Sequence, residues 1–129
     1  MTRRLSFFAG LALIAVQPLS AHHSVKGTYD TSALVTLTGT VAKVEFRNPH
    51  TWFELAAKVE NGQVISQRVE IAGPFALLQR GFERSFLGIG DSVSVEAWRS
   101  KDTQSNQFSG RTLVLADGRR IDVSDNWGL

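Results

Sequence analysis

The stretch VTLTGTVAKVEFRNPH, Val35 to His50, decides the fold. Val35, Leu37, Gly39 and Val41 share one face of an extended chain, and Val44 and Phe46 then carry the apolar side on the opposite parity. A period of two that changes phase without a break is what a β-bulge near Ala42 and Lys43 produces. Gly39 adds room for a strand that coils strongly. Asn48 and Pro49 then form a turn that delivers His50 to the next strand.

Working outward, Thr51 to Val59 alternates again, with Phe53, Leu55, Ala57 and Val59 on the inner side. Asn61-Gly62 predicts a type I′ hairpin, and Gln63 to Ala72 follows as a strand burying Ile65, Val69 and Ile71. Gly73 to Gly81 breaks the alternation. Pro74 near its first position and Gly81 at its end predict a short helix, with Phe82, Phe86 and Leu87 packing nearby. The turn GIGD leads into a strand from Ser92 to Trp98, and a polar loop runs from Ser100 to Gln107. A last hairpin joins Phe108–Leu115 to Arg119–Val123 through Asp117-Gly118. Three strands, a helix and then further strands, opened by a coiled and bulged strand, predict an all-β chain with one short helix: a small OB-like β-barrel over residues 34–123. Residues 22–33 are polar and aperiodic and predict an extended arm; residues 124–129 form a tail.

The N-terminus reads as a targeting segment. Arg3 and Arg4 precede an uncharged apolar run from Leu5 to Val16, shorter than the roughly 20 residues a membrane-spanning helix needs. Pro18 ends the run, and Ala21 offers a cleavage point, so residues 1–21 are expected to be a signal peptide and the product periplasmic or secreted, with no membrane segment left. The full chain has 14 basic and 12 acidic residues. Both leader charges are arginines, so cleavage leaves 12 of each. A near-neutral chain without a Lys/Arg run lacks the basic face of a nucleic-acid binder. Cysteine is absent, so any metal would be held by nitrogen and oxygen donors.

A cut after Ala21 makes His22 the first residue. A terminal histidine offers its α-amine and ring Nδ1 to one metal, and their ordinary pKa values of about 7.7–8.0 and about 6.5 free both near neutral pH. A third nitrogen, from His50 or the adjacent His23, would complete a nitrogen-rich set suited to copper(II). His50, Trp52 and Glu54 fall on one side of the second strand, opposite Phe53 and Leu55. Asp30, Glu45 and Glu70 are further oxygen donors. The blander reading of the same residues is a solvated chain end and a histidine serving its own turn. Nothing in the sequence argues for an enzyme: it has no nucleophile-elbow motif, and GIGD precedes a strand, the wrong context for a phosphate loop.

AHHS after the leader, VTLTGTVAKVEFRNPHTWFEL, LLQRGF, GDSVSVEAWRSKD and LADGRRI together resemble a family of small exported bacterial proteins of unknown function. Its mature chains open with His-His-Ser and carry Asn-Pro-His; Phe82 stands where many relatives have Trp. The resemblance spans Ala21 to Ile121 and implies export and a small β-barrel, with no settled activity. It places His22, His23 and His50 in the family's two motifs. The expected function is periplasmic metal handling, with copper held by His22, His23 and His50, Trp52 and Glu54 beside them, and Asp30 and Glu70 as outer donors. The alternative is an OB-like binding module for a small ligand or an envelope protein partner, without metal. A third is an accessory subunit of a periplasmic oxidoreductase.

Overall fold

The computed structural model describes residues 24–58 and 61–125. The leader and the pair His22–His23 lie outside the described residues, as do Val59 and the last four positions. The elements run α1 (Val25–Thr28), β1 (Val35–Glu45), β2 (Thr51–Lys58), β3 (Val64–Ile71), α2 (Pro74–Gln79), β4 (Ser92–Arg99), β5 (Gln107–Val114) and β6 (Arg120–Asp122), with a single 3-10 turn at Arg84–Phe86.

The strand order is β3-β2-β1-β4-β5-β6, and a parallel pairing of β3 with β5 closes the first five strands into an OB-like barrel. β1 makes closure possible. Its first half pairs with β4 and its second half with β2, so one strand turns the corner between two neighbours. The register slips between Val41 and Lys43, where the phase switch predicts a bulge. A side chain at Gly39 would place its Cβ 2.5 Å from the Ala56 carbonyl oxygen, so only glycine lets β1 approach β2 there.

Alternation fills the interior. Leu37, Val41, Phe53, Leu55, Val69, Ile71, Val95, Phe108 and Leu113 are all buried in one core. α2 adds Leu77. It ends in a Schellman motif, Gly81 N–H donating to Leu78 O and Phe82 N–H to Leu77 O, and this ending turns Phe82 into the same core. Among the described residues no helix is long and apolar enough to cross a membrane.

Two expectations change. The arm expected to be extended contains a helical turn, so the chain has two short helices and not one. Ser24 caps that turn, its Oγ accepting from the Gly27 N–H at 3.1 Å, and Val25 and Tyr29 gain burial against Trp98. The loop at Asn61-Gly62 is not type I′, which needs positive φ at both residues; only Gly62 has it, with φ 82°. Asn61 instead uses its side chain, Oδ1 accepting from the Gln63 N–H at 2.9 Å. The final hairpin turns through Asp117-Gly118 as expected, Gly118 N–H donating to Leu115 O with Gly118 at φ 86°.

Candidate functional site

A row of outward-facing residues crosses four strands at one level. Trp52 on β2 pairs with Glu70 on β3, Glu70 with Ser109 on β5, and Ser109 with Trp98 on β4. Their chain neighbours Phe53, Val69, Phe108 and Ala97 point into the core, so alternation turns this row outward. The arm covers its β4 end. Val25 and Tyr29 pack on Trp98, Asp30 N–H donates to Arg99 O, and Lys101 N–H donates to Thr28 O. A pocket of 280 Å³ remains, lined among others by Tyr29, His50, Trp52, Glu70, Ser109 and Asp125.

His50 stands at its centre. The turn that carries it is pressed against the start of α2: a Cβ on Gly73 would collide with the Pro49 carbonyl oxygen. Its Nδ1 is in direct contact with Glu70 Oε1, and its Nε2 lies 2.6 Å from Asp125 Oδ2. The Tyr29 hydroxyl donates to the other Glu70 oxygen at 2.6 Å. Burial, and then the hydrogen bond and charge of Glu70, push the Tyr29 phenol far above its ordinary range, with the Arg68 charge opposing them weakly. These contacts form one chain, Tyr29–Glu70–His50–Asp125, with side-chain exposures of only 18%, 14% and 10% for His50, Glu70 and Asp125.

Asp125 is held by its neighbours. Ser124 donates through its amide and its hydroxyl to Asp122 Oδ1 at 2.9 and 2.6 Å, and the Arg80 guanidinium donates to Ser124 O at 2.6 Å. Burial opposes ionisation of Asp122, but the Ser124 bonds and the Arg80 and Arg111 charges outweigh it and keep that carboxyl below its usual range. Ser109, 2% exposed, lines the pocket beside them.

Of the residues singled out from sequence, the fold brings together His50, Trp52 and Glu70. Trp52 also lies under the Arg68 guanidinium, 4.4 Å from the ring centre. Glu54 sits one register step away, bonded by the Ser66 hydroxyl at 3.3 Å, and does not line the pocket. Asp30 is exposed and turned to its own loop, where hydrogen bonds from Ser32 hold its carboxyl below the usual range. Glu45 pairs with Lys43 and Arg47, and these contacts, the Lys43 hydrogen bond foremost, likewise lower its carboxyl. Sequence reasoning missed Tyr29, Ser109 and Asp125. Tyr29 is the chain's only tyrosine, a signal that was present; nothing local marks the other two.

Among the described residues no three His, Asp or Glu side chains form a metal-holding group. The reason is geometric: Glu70 and Asp125 occupy opposite edges of the His50 ring.

A family model for a family of unknown function, DUF6152, matches residues 10–109. The chain belongs to DUF6152. The match takes in β1 to β4, the His50 turn and Glu70. No curated protein and no solved structure matches the chain.

A second, larger cavity of 460 Å³ lies between α2 and Phe46, lined by Pro74, Phe75, Leu77, Leu78, Phe82, Glu83 and Arg84. Phe75 and Leu78 are 70% and 67% exposed on its rim.

Proposed function

We propose that this member of DUF6152 is an exported binding module of OB-like architecture, whose ligand site is the His50 pocket and whose ligand is a small cation. The observation that carries this reading is the convergence of Glu70, His50 and Asp125 on one half-buried cavity, with Ser109 on its wall. Two carboxyl groups face one imidazole, so acidic groups outnumber basic ones in the cluster. A desolvated negative cluster attracts cations more strongly than one in water. Converging polar groups in a concave site are the usual mark of a ligand pocket.

Export is supported by the charge and length of the leader. Intact mass of the protein recovered outside the cytoplasm tests it, with a start at His22 expected. The pocket is tested by following backbone and side-chain resonances during titration with small cationic, neutral and anionic molecules. Methylammonium and other cations should shift Tyr29, His50, Ser109 and Asp125. Shifts gathered at Phe75 and Leu78 would move the binding site to the other cavity.

The narrower copper reading, with His22 and His23 joining His50, is supported by the position of Ser24. Ser24 caps α1, whose Val25 and Thr28 line the pocket, and the two histidines directly precede it.

A further inference from the structure

We propose that the His50 pocket takes a small organic ammonium ion, a primary amine with a short carbon body. Asp125, Ser109 and Gln107 would hold the ammonium group, and Trp52, Pro49 and Val25 would receive the carbons. This deepens the cation reading of the pocket, on which it rests, by naming the ligand class.

The acceptors come first. Both ring nitrogens of His50 already face carboxylate oxygens, Nδ1 that of Glu70 and Nε2 that of Asp125 at 2.6 Å. The ring therefore has no edge left for a ligand. Glu70 gives one oxygen to His50 and the other to the Tyr29 hydroxyl. Recognition falls to the rest of the wall. An ionised carboxylate accepts at about four lone-pair positions, so Asp125 can take a further donor beside the imidazole. Gln107 and Ser109 flank the buried Phe108 on β5 and share the pocket face, next to Glu70 through the β3–β5 pairing. A carboxylate, an amide carbonyl and a hydroxyl make three acceptors, and a primary ammonium group has three donors to give.

The other sides of the cavity are largely carbon: Val25, Tyr29, Pro49 and Trp52 close it. A hydrated inorganic ion gains nothing from such walls, whereas an alkyl body gains by leaving water. The indole also attracts positive charge, and the Arg68 guanidinium already lies 4.4 Å from its ring centre. No Lys or Arg among the described residues lines the cavity, which disfavours anions. Lys101, at its border, donates through Nζ to Lys26 O. At 280 Å³ the space exceeds what one ion fills and approaches the lower end of small-molecule pockets, about 300–1,000 Å³.

The test is a titration of the protein with methyl-, propyl- and butylammonium, with butanol as the neutral counterpart and potassium as the bare cation. It is read from the resonances of Tyr29, Trp52, His50 and Ser109. Affinity should rise about fourfold for each methylene buried. Butanol and potassium should each bind about tenfold or more weakly than butylammonium. Asp125→Asn should weaken every amine by about tenfold or more, and Trp52→Ala should flatten the gain with chain length. The wild-type series decides the matter even if a variant fails to fold. Equal affinity for methyl- and butylammonium, or for butanol and butylammonium, overturns the organic-ammonium assignment. If potassium and methylammonium still shift Tyr29 and Ser109 in that event, the cation pocket stands and only its ligand class is wrong; if no cation shifts them, both fall.

Discussion

The α2 groove and the His50 pocket are built in opposite ways, and the groove, the larger of this pair, has less to recognise a ligand with. The α2 groove is walled by Phe46, Phe75, Leu77, Leu78 and Phe82, and its floor is continuous with the core. Arg84 lies over Phe46 at 5.0 Å and so is already occupied. The His50 pocket sits on the outer face of the same strands, where ionisable groups are gathered and held by a cap and a tail that pack across them. Interior packing makes the first cavity; side chains brought from five separate chain segments make the second. The two should therefore respond differently to substitution.

The largest effect belongs to the groove. Phe82→Ala removes a buried ring that contacts Phe46 and Phe86 and should destabilise the protein by about 3–5 kcal/mol in denaturant unfolding. Cation titration at the His50 pocket should nevertheless be unchanged under conditions where the variant is folded. A matching loss of binding would show that the two regions are one unit. Tyr29→Phe is the counterpart on the other side. It deletes a hydrogen bond to a charged carboxylate while keeping the ring on Trp98, and should cost about 1.5–3 kcal/mol. It should also weaken cation binding, because Glu70 loses the contact that steadies it. Unfolding with unchanged stability would mean that the arm does not brace the site.

The same hydroxyl sets a pH dependence. The folded state raises the Tyr29 phenol above its ordinary value, burial being the first cause and the Glu70 bond the second. Stability from this group is therefore fully present below the unfolded value of about 10 and is lost as pH climbs above it. The sole tyrosine makes this directly readable. Tyrosinate absorbance should appear together with loss of near-ultraviolet dichroism on alkaline titration, and Tyr29→Phe should unfold over a shallower alkaline limb. Tyrosinate forming in a still-folded protein would contradict the buried bond.

The barrel was legible because β1 carries its own instructions. The parity change between Val41 and Val44 marks the bulge, and Pro74 and Gly81 bracket α2. Turn types were less so, since Asn61 can satisfy its loop by a side-chain bond without left-handed backbone. Half the site was readable. Trp52 and Glu70 belong to adjacent paired strands, where alternation and register set the face, and His50 directly precedes β2. Tyr29, Ser109 and Asp125 reach the same point only through the β3–β5 closure, the arm and the tail. Those are contacts between segments far apart in the chain, and no local period encodes them. Tyr29 lies in an arm whose aperiodic sequence gives no face, and its hydroxyl is the part that matters.

The smallest expected effect sharpens the comparison most. Phe75 and Leu78 are the most prominent apolar groups on the groove rim, and both are largely exposed. Replacing Phe75 by Ser gives up little burial and leaves Leu77, the buried face of α2, in place. Folding stability should stay within about 0.5 kcal/mol of wild type, and cation binding at His50 should not move. The reason is structural: α2 is held by Leu77 and by the Schellman ending at Phe82, neither of which uses the Phe75 ring. Denaturant unfolding and cation titration on one Phe75→Ser preparation check both halves. A stability loss of several kcal/mol would mean that the rim is part of the core, and the contrast between a packed groove and an assembled site would then have to be redrawn.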